Sequence, residues 1–332
     1  MLLAPIALTA LAALAVSAAP EKPRRPVHTY SIVARDTATG EIGVAVQSHW
    51  FSVGSTVPWA EAGVGAVATQ SFVDPSYGPL GLDMMRAGRS APDALAGLLA
   101  ADPEREVRQV AMVDAQGRVA AHTGRKNIQA AGQHVGKGYS VQANLMANEK
   151  VWPAMAKAFE GATGDLAERM LTALEAAQAV GGDIRGQQSA AILVVPGTPS
   201  GRPWADQIFD LRIEDHPRPL EEMRRLLHVA RAYRHMNAGD LAVEKNDVPA
   251  AEREYGAAMK LLPDSAEVVF WYAAALAMAG QVDRSLPLFA RAFALEPAWR
   301  TLVPRLPASG LLPADPAVLS RIEGAGRPSP GK

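Results

Sequence analysis

Two groups of residues in this sequence could carry chemistry at first sight, a glycine motif and a set of histidines. Residues 63–68 read GVGAVA, which matches the glycine pattern of a dinucleotide-binding loop. Such a loop binds a pyrophosphate only when a strand leads into it and a helix opens within it. Residues 58–61 (PWAE) precede these glycines and the strand-like residues 68–70 (ATQ) follow them. Since no helix end would face a phosphate, we interpret the glycines as a turn leading into a strand.

The seven histidines are scattered along the chain, with no pair at helical spacing. His49 and His122 lie beside predicted strand ends and could meet in space, but two lone histidines are more often surface or packing residues than metal ligands. The chain has no cysteine, which excludes disulfides, thiolate ligands and a cysteine nucleophile. No phosphate loop and no nucleophile-elbow serine are present. We therefore expect neither a metal nor another cofactor.

Composition limits the class of protein and of partner. The chain has 332 residues, of which 48% are hydrophobic and 20% charged, so it can bury the core of one medium and one small domain. The formal net charge of −1 provides no attraction for nucleic acid or for an anionic membrane. We expect neither as a partner.

The first residues are typical of a targeting segment. An apolar run at residues 2–16 is followed by small residues at 17–19. The run is short for a membrane span, so it predicts a cleaved secretory signal over residues 1–18, although no Lys or Arg precedes it. An uncleaved anchor or a misassigned start is the alternative. Residues 19–27 contain three prolines and are predicted to be a linker. We expect a secreted or periplasmic protein without a membrane span after signal removal.

The elements that would position a site are strands in adjacent pairs. Apolar and β-branched runs predict strands at 29–34, 43–47, 65–70, 110–114, 118–122, 138–145, 189–195 and 208–213. Helices are predicted at 79–101 and 155–179, the second interrupted at 161–164 with Asp165 as the cap of its second half. Paired strands favour antiparallel sheets covered by helices over a doubly wound parallel sheet. Residues 28–219 are therefore predicted to form an α+β domain.

Beyond about residue 218 the pattern is helical and repeats every 34 residues. The matching pairs are Val248 and Val282, Tyr255 and Phe289, Ala258 and Ala292, Met259 and Phe293, Leu261 and Leu295, and Pro263 and Pro297. A helix-turn-helix period of this length is typical of tetratricopeptide repeats. We predict a small all-α domain at 220–304, with repeats at 230–263 and 264–297. Since two repeats rarely hold together alone, helices at 220–234 and 299–303 are expected to cap them. Residues 305–332 are predicted to be a tail rich in proline and glycine.

A resemblance to a known family adds to this interpretation. Residues 28–72 (HTYSIVARDTATGEIGVAVQSHWFSVGSTVPWAEAGVGAVATQSF), with 74–78 (DPSYG) and 182–191 (GDIRGQQSAA), resemble the bacterial family catalogued as domain of unknown function 1028. The likeness runs from about Thr29 to about His228. That family is similar to the N-terminal-nucleophile hydrolases. The resemblance implies a four-layer αββα sandwich, in which two antiparallel sheets lie between layers of helices, and the predicted strand pairs agree with it.

The resemblance also implies a mechanism. In those hydrolases a nucleophilic residue opens the first strand, and its freed α-amine serves as the general base. An α-amine with a pKa of about 8 can accept the proton of a hydroxyl near neutral pH. Thr29 occupies the matching place, but signal removal would leave it about ten residues inside the chain. Cleavage between His28 and Thr29 is therefore required. The alternative is an ordinary strand threonine in a fold kept as a binding scaffold.

Other catalytic candidates lie at neighbouring strand ends. Ser48 and His49 end the second strand, where members of the superfamily place groups that tune the nucleophile. Gln70 and Asn144 are uncharged donors late in strands, suited to an oxyanion site or to holding a substrate amide. For each of these residues, an ordinary hydrogen bond at a turn or a sheet edge is the alternative.

Three further residues are candidates for substrate binding. Thr69 is an uncharged donor late in the third predicted strand. Asp183 and Arg185 lie in a glycine-rich turn, where they could pair and order the rim of a pocket or bind a charged end of a substrate. The same ordinary structural roles are the alternative here.

The sequence therefore predicts an exported amide-bond hydrolase that acts on a small peptide-like, acylated or ureido substrate. The alternative is a non-catalytic adaptor of the cell envelope, because repeat arrays present a concave groove to a peptide or protein partner. Exposed sheet edges make self-association a reasonable expectation.

Overall fold

A computed structural model describes residues 27–327 of the chain. The predicted signal peptide at 1–18 lies outside the described residues, as do the predicted linker except Val27 and the last five residues of the predicted tail. Within the described range the chain is a mixed α/β protein with two antiparallel sheets, followed by an all-helical region.

Strand pairs that are adjacent in sequence form hairpins within the two sheets. The described residues contain β1 Thr29–Arg35, β2 Ile42–Ser48, β3 Pro58–Glu61, β4 Gly65–Ser71, β5 Arg108–Asp114, β6 Val119–Thr123, β7 Gly132–Gly136, β8 Tyr139–Ala143, β9 Ser189–Val195 and β10 Phe209–Ile213. One sheet has the order β10-β9-β2-β1-β8-β7, and the other has the order β3-β4-β5-β6. All neighbouring strands are antiparallel, as predicted.

The predicted strands omit β3 and β7, each of which lies at an edge of its sheet. β3 begins with proline, and β7 begins and ends with glycine, residues that weaken a strand signal and are typical of edges. A strand therefore does precede the glycine motif. The motif begins in the β3–β4 turn, where Gly63 has a φ of 69° that glycine adopts readily, and its residues 65–68 are the start of β4. Because the motif continues as a strand and no helix opens there, the condition for a dinucleotide loop is not met.

The α-helices of the described residues are α1 Tyr77–Arg86, α2 Ala91–Ala101, α3 Val151–Gly161, α4 Leu166–Ala179, α5 Pro219–Glu244, α6 Val248–Leu261, α7 Ala266–Met278, α8 Val282–Leu295 and α9 Pro316–Gly324. The single helix predicted at 79–101 is wrong. It is two helices, because Gly88 has a φ of 89° and Ser90 caps α2. Asp165 caps α4 as predicted, accepting from the backbone N–H of Glu168.

None of the described helices combines the length and the apolar character that crossing a membrane requires.

The two sheets face each other, and helices cover their outer faces. Because side chains alternate along a strand, each sheet packs on two sides. α1 and α2 pack on the outer face of the four-stranded sheet, around Val67 and Met112. Between the sheets lies an apolar layer that contains Val44 and Val113. α3, α4 and the first turns of α5 cover the outer face of the six-stranded sheet, around Ile32.

α5 is one continuous helix of 26 residues that joins the sheets to the helical region. Near its start, Leu220 and Leu227 belong to the core beneath the six-stranded sheet. Further along, Met236 packs with Ala258 of α6. The helix predicted at 220–234 is present, but it is not a separate cap, because α5 continues without interruption to Glu244. The cause is simple, since neither glycine nor proline interrupts the chain between Leu220 and Ala238.

The remaining helices form a second core. α6 and α8 are each 14 residues long and begin 34 residues apart, in agreement with the period in the sequence. Trp299, in a 3₁₀ helix at Pro297–Arg305, lies 4.8 Å from Phe270 between ring centroids. The predicted tail also contributes, because Ile322 of α9 is fully buried in this core. The tail is thus partly a packed cap, which its composition does not predict.

Candidate active site at the start of β1

At one end of the interface between the sheets, polar side chains replace the apolar layer. Positions that face the opposite sheet are apolar in the middle of the strands, as at Val33 and Val44. Towards the end where β1 begins they carry hydroxyl and amide groups. These fully buried residues are Thr29, Ser31, Ser48 and Gln142 on the six-stranded sheet, and Gln70 and Gln109 on the four-stranded sheet. A buried polar group without a partner costs about 1–3 kcal/mol, so these side chains must bond to one another.

Gln109 fixes the orientation of this cluster. Its Nε2 atom lies 2.9 Å from the carbonyl oxygen of Ala143 and 3.3 Å from that of Gly132, and both oxygens can only accept. The Oε1 atom of Gln109 must therefore accept. It does so from Gln70 Nε2 at 2.7 Å and from Asn144 Nδ2 at 2.8 Å. Two backbone carbonyls thus determine which way three amide side chains point.

Thr29 is fully buried and is held at both its backbone and its hydroxyl. Its carbonyl oxygen accepts from Gln70 Nε2 at 3.2 Å and from the backbone N–H of Asn144 at 3.1 Å. Its hydroxyl lies 2.9 Å from the carbonyl oxygen of Val27 and 3.2 Å from Ser48 Oγ. The structure therefore brings together four of the predicted catalytic residues.

The peptide bond in front of Thr29 is also held. The carbonyl oxygen of His28 accepts from Ser48 Oγ at 2.5 Å and from Arg185 Nη2 at 2.9 Å. Donors placed in this way stabilise the negative charge that develops on a carbonyl oxygen when its carbon is attacked. The hydroxyl of the next residue, Thr29, is the nearest nucleophile along the chain. The arrangement can therefore support attack of that hydroxyl on the carbonyl carbon of His28.

Asp183 places Arg185 against this carbonyl. The carboxylate accepts from Arg185 Nε at 3.0 Å and from Nη2 at 2.7 Å, and its side chain is fully buried. A bidentate salt bridge of this kind holds the guanidinium in one orientation. The pair therefore delivers a charged donor to the oxygen of His28.

The imidazole of His28 is 3% exposed, and its Nδ1 atom lies 2.9 Å from Asn144 Oδ1. Because Asn144 Nδ2 donates to Gln109, this oxygen accepts, so the proton of the neutral ring is on Nδ1. Burial lowers the pKa of His28 from its ordinary value of 6.5, and the charge of Arg185 lowers it further, whereas the Asn144 hydrogen bond raises it. The ring is consequently neutral at pH 7.

Two predicted site residues, His49 and Thr69, make no side-chain hydrogen bond to Thr29. The ring of His49 has a buried Nδ1 atom without a hydrogen-bond partner among the described residues, and its backbone N–H donates to Asp183 at 3.3 Å. Thr69 shares the outer face of β4 with Val67 and donates to the carbonyl oxygen of Asp74 at 3.0 Å. It faces the helices and holds the loop after β4. His122 bonds to the carbonyl oxygen of Arg105 at 2.8 Å.

Sequence reasoning missed several members of the site. Ser31 Oγ donates to Gln70 Oε1 and accepts from Gln142 Nε2, both at 2.6 Å. Gln109 was not predicted to take part either. A signal for these residues exists, because each is a polar residue at an inward-facing position of an otherwise apolar strand. Among the described residues, no group of three or more His, Asp or Glu could hold a metal ion.

The protein is thus a mixed α/β protein in which two antiparallel sheets face each other between helices, with a buried polar centre at one end of their interface. A family described as "family of unknown function (DUF1028)" matches residues 29–223, which is more than half of the chain, and the protein belongs to that family. Among solved structures, it is similar to the crystal structure of protein SPO2555 from Silicibacter pomeroyi, also assigned to DUF1028. The TM-score is 0.55 and the identity 30%, over 61% of this chain and 89% of that chain. A search of curated proteins found no match.

Proposed function

We propose that this protein is an amide-bond hydrolase whose nucleophile is Thr29, freed by cleavage of the His28–Thr29 bond. The observation that carries the proposal is the carbonyl oxygen of His28, held by Ser48 and Arg185 beside the hydroxyl of Thr29. The succession of helices, sheet, sheet and helices supports the assignment of residues 28–219 to the N-terminal-nucleophile sandwich.

Cleavage begins when Thr29 Oγ1 adds to the carbonyl carbon of His28. The carbon–nitrogen bond to Thr29 then breaks, the nitrogen takes up the hydroxyl proton, and an ester joins His28 to Thr29 Oγ1. Water hydrolyses this ester, which leaves a carboxylate on His28 and a free α-amine on Thr29. Ser48 and Arg185 stabilise the charged oxygen in both steps.

In the processed protein the free amine of Thr29 accepts the proton of its own hydroxyl as that hydroxyl attacks a substrate amide. Ser48 and Arg185 then bind the substrate carbonyl, while Gln70 and Asn144 position Thr29 through its carbonyl oxygen. The proposed substrate is a small peptide-like, acylated or ureido compound, met outside the cytoplasm if the chain is exported.

The amino-terminal residue of the purified protein, determined by intact mass, tests this proposal. We expect the wild-type protein to begin at Thr29. Thr29→Val keeps the branched shape but removes the hydroxyl, so it should retain upstream residues, whereas Thr29→Ser should still be processed. Thr37 is exposed in the β1–β2 turn, and Thr37→Val is a control that should be processed normally. Hydrolytic activity in material that begins upstream of Thr29, unchanged in Thr29→Val, would show the proposal to be wrong.

We also propose a second function, the binding of a peptide or protein partner by the helical region. The 34-residue offset between α6 and α8 supports a tetratricopeptide-like arrangement. α5 and α7, with Tyr255 of α6 and with Gly310 and Leu311 of the segment before α9, line a cavity of about 470 Å³. Its apolar lining includes Met236, Trp271 and Met278. Repeat arrays of this kind present such a groove to a segment of a partner.

A pair of matched variants tests the groove. Met278 lines it and is 42% exposed, whereas Leu295, at the end of α8, is not part of its lining and is 40% exposed. A partner captured by the full chain should be lost in Met278→Glu and kept in Leu295→Glu. The same set of captured proteins for both variants would contradict binding in the groove.

A further inference from the structure

The residues in front of Thr29 lie where the acyl part of a substrate would have to lie. Val27, predicted to be the last residue of a linker, is instead paired with Ser71. The backbone N–H of Val27 donates to the carbonyl oxygen of Ser71 at 2.6 Å, and the N–H of Ser71 donates back at 2.9 Å. This pairing uses main-chain groups alone, so any extended peptide could form it.

Ser71 has unusual features for the last residue of a strand. Its φ is 72°, in the left-handed region that costs a non-glycine residue on the order of 1 kcal/mol and that is often found at functional sites. Its hydroxyl is buried and has no hydrogen-bond partner among the described residues. A ligand residue in the place of Val27 could therefore pair with the main chain of Ser71 and could also bond to the Ser71 hydroxyl.

His28 fills a side-chain subsite with one polar contact and one aromatic wall. Asn144 Oδ1 accepts from the ring at 2.9 Å, and the orientation of Gln109 makes this oxygen an acceptor only. The ring of Phe72 stands at 86° to the imidazole, with centroids 6.5 Å apart. The subsite therefore suits a flat ring with an N–H donor. An aliphatic side chain would leave the amide oxygen of Asn144 buried and unpaired.

We propose that the processed protein binds, on the acyl side of the amide bond it cleaves, an extended peptide whose last residue carries such a ring, with histidine as the prototype. This inference rests on the proposed function. The carbonyl of that residue lies against Ser48 and Arg185, and the residue before it pairs with the backbone of Ser71. The segment released by self-cleavage is then the first product to occupy the site.

Binding to an open site tests the inference without relying on activity. A chain whose first residue is Thr29, made by removing an amino-terminal carrier with a site-specific protease, has this site open whether or not the protein cleaves itself. The probe is the peptide Arg-Pro-Val-His, the sequence of residues 25–28, with a free carboxyl group. We expect saturable binding by calorimetry, at least tenfold weaker for Arg-Pro-Val-Leu. Phe72→Ala should reduce this discrimination.

A second measurement uses the full chain, so the inference does not depend on how the shortened chain folds. His28→Leu should slow the release of Thr29 at least tenfold, and His28→Asn should slow it less, because asparagine also carries an N–H donor. No saturable binding, or equal binding of the histidine and leucine peptides, would overturn the inference. Failure of the proposed function looks different, because the full chain would then keep its upstream residues while the peptide still binds the open site.

Discussion

Ser48 Oγ lies 3.2 Å from the hydroxyl oxygen of Thr29 and at the same time donates a 2.5 Å hydrogen bond to the carbonyl oxygen of His28. One hydroxyl thus contacts both the attacking atom and the oxygen that receives the negative charge. This arrangement follows from the sheet register, because Thr29 and Ser48 are paired at the ends of β1 and β2. Both side chains consequently point towards the other sheet.

Replacing Ser48 by alanine should slow release of Thr29 by about 10²–10³-fold, the usual effect of losing one oxyanion donor. The measurement is the time course of precursor loss after cell-free synthesis. Ser189 provides a control, since it is the next residue in the same register row but bonds to the carbonyl oxygen of Trp50. Ser189→Ala should lower the melting temperature without slowing cleavage. Wild-type kinetics in Ser48→Ala would contradict the assigned role.

Arg185→Ala should also slow cleavage by about 10²-fold, because the charged donor to the His28 carbonyl is lost. The cleavage rate of Arg185→Lys should fall between those of Arg185→Ala and the wild type, since lysine keeps the charge but cannot form the bidentate salt bridge with Asp183. Arg212 forms a similar pair with Asp210 on the edge strand β10. Arg212→Ala should cleave as the wild type does. Equal rates for all three variants would contradict this prediction.

The lowered pKa of His28 predicts that the stability of the uncleaved chain depends on pH. The Thr29→Val variant provides this uncleaved chain. Because the folded state binds this proton less well than the unfolded state does, stability rises with pH. The contribution of His28 is complete above about pH 6.5 and is lost as the pH falls towards its lowered pKa. A titration by nuclear magnetic resonance should give His28 a pKa below that of the same histidine in the unfolded chain. A value equal to or above that of the unfolded chain would be inconsistent with the buried ring.

Two glycines of the helical region should respond to substitution with opposite signs. A β-carbon at Gly239 would lie 2.9 Å from the ring of Tyr255, whereas one at Gly256 would meet nothing within 4 Å. Gly239→Val should therefore destabilise the protein by about 1–3 kcal/mol through overpacking. Gly256→Ala should stabilise it by about 0.5–1 kcal/mol, because alanine restricts the unfolded chain. Chemical denaturation measures both, and a stabilised Gly239→Val would refute the close packing of α5 on α6.

The central strands and two of the edge strands, β6 and β10, could be predicted from sequence, but the other two edge strands could not. β9 has the bounds expected from its apolar run at Ser189–Val195. β3 and β7 escaped because a strand with one neighbour needs few apolar residues and tolerates proline and glycine. The helical period was readable, yet the merging of a predicted cap into α5 was not. Whether a helix continues or ends between two packed regions depends on the tertiary contacts at both of its ends.

The polar centre was only partly predictable. Ser48, Gln70 and Asn144 could be named because they lie at or next to strand ends near Thr29 in the predicted sheets. Gln109 could not, since its role depends on how one sheet is placed over the other. The pairing of Val27 with Ser71 was also out of reach, because a short contact between residues so distant in sequence leaves no periodic pattern.

The uninterrupted course of α5 makes it a rod about 39 Å long that belongs to two cores at once. Unfolding of either core would remove packing contacts from the other, so we expect both to unfold on heating in a single cooperative transition. Truncation of the chain at residue 219, the domain boundary predicted from sequence, would leave a cavity beneath the six-stranded sheet. The side chains that fill this space are Leu220, Met223 and Leu227. The two regions therefore share one helix, and a change in the packing of one end of α5 alters a helix that also belongs to the core behind the sheet that bears Thr29.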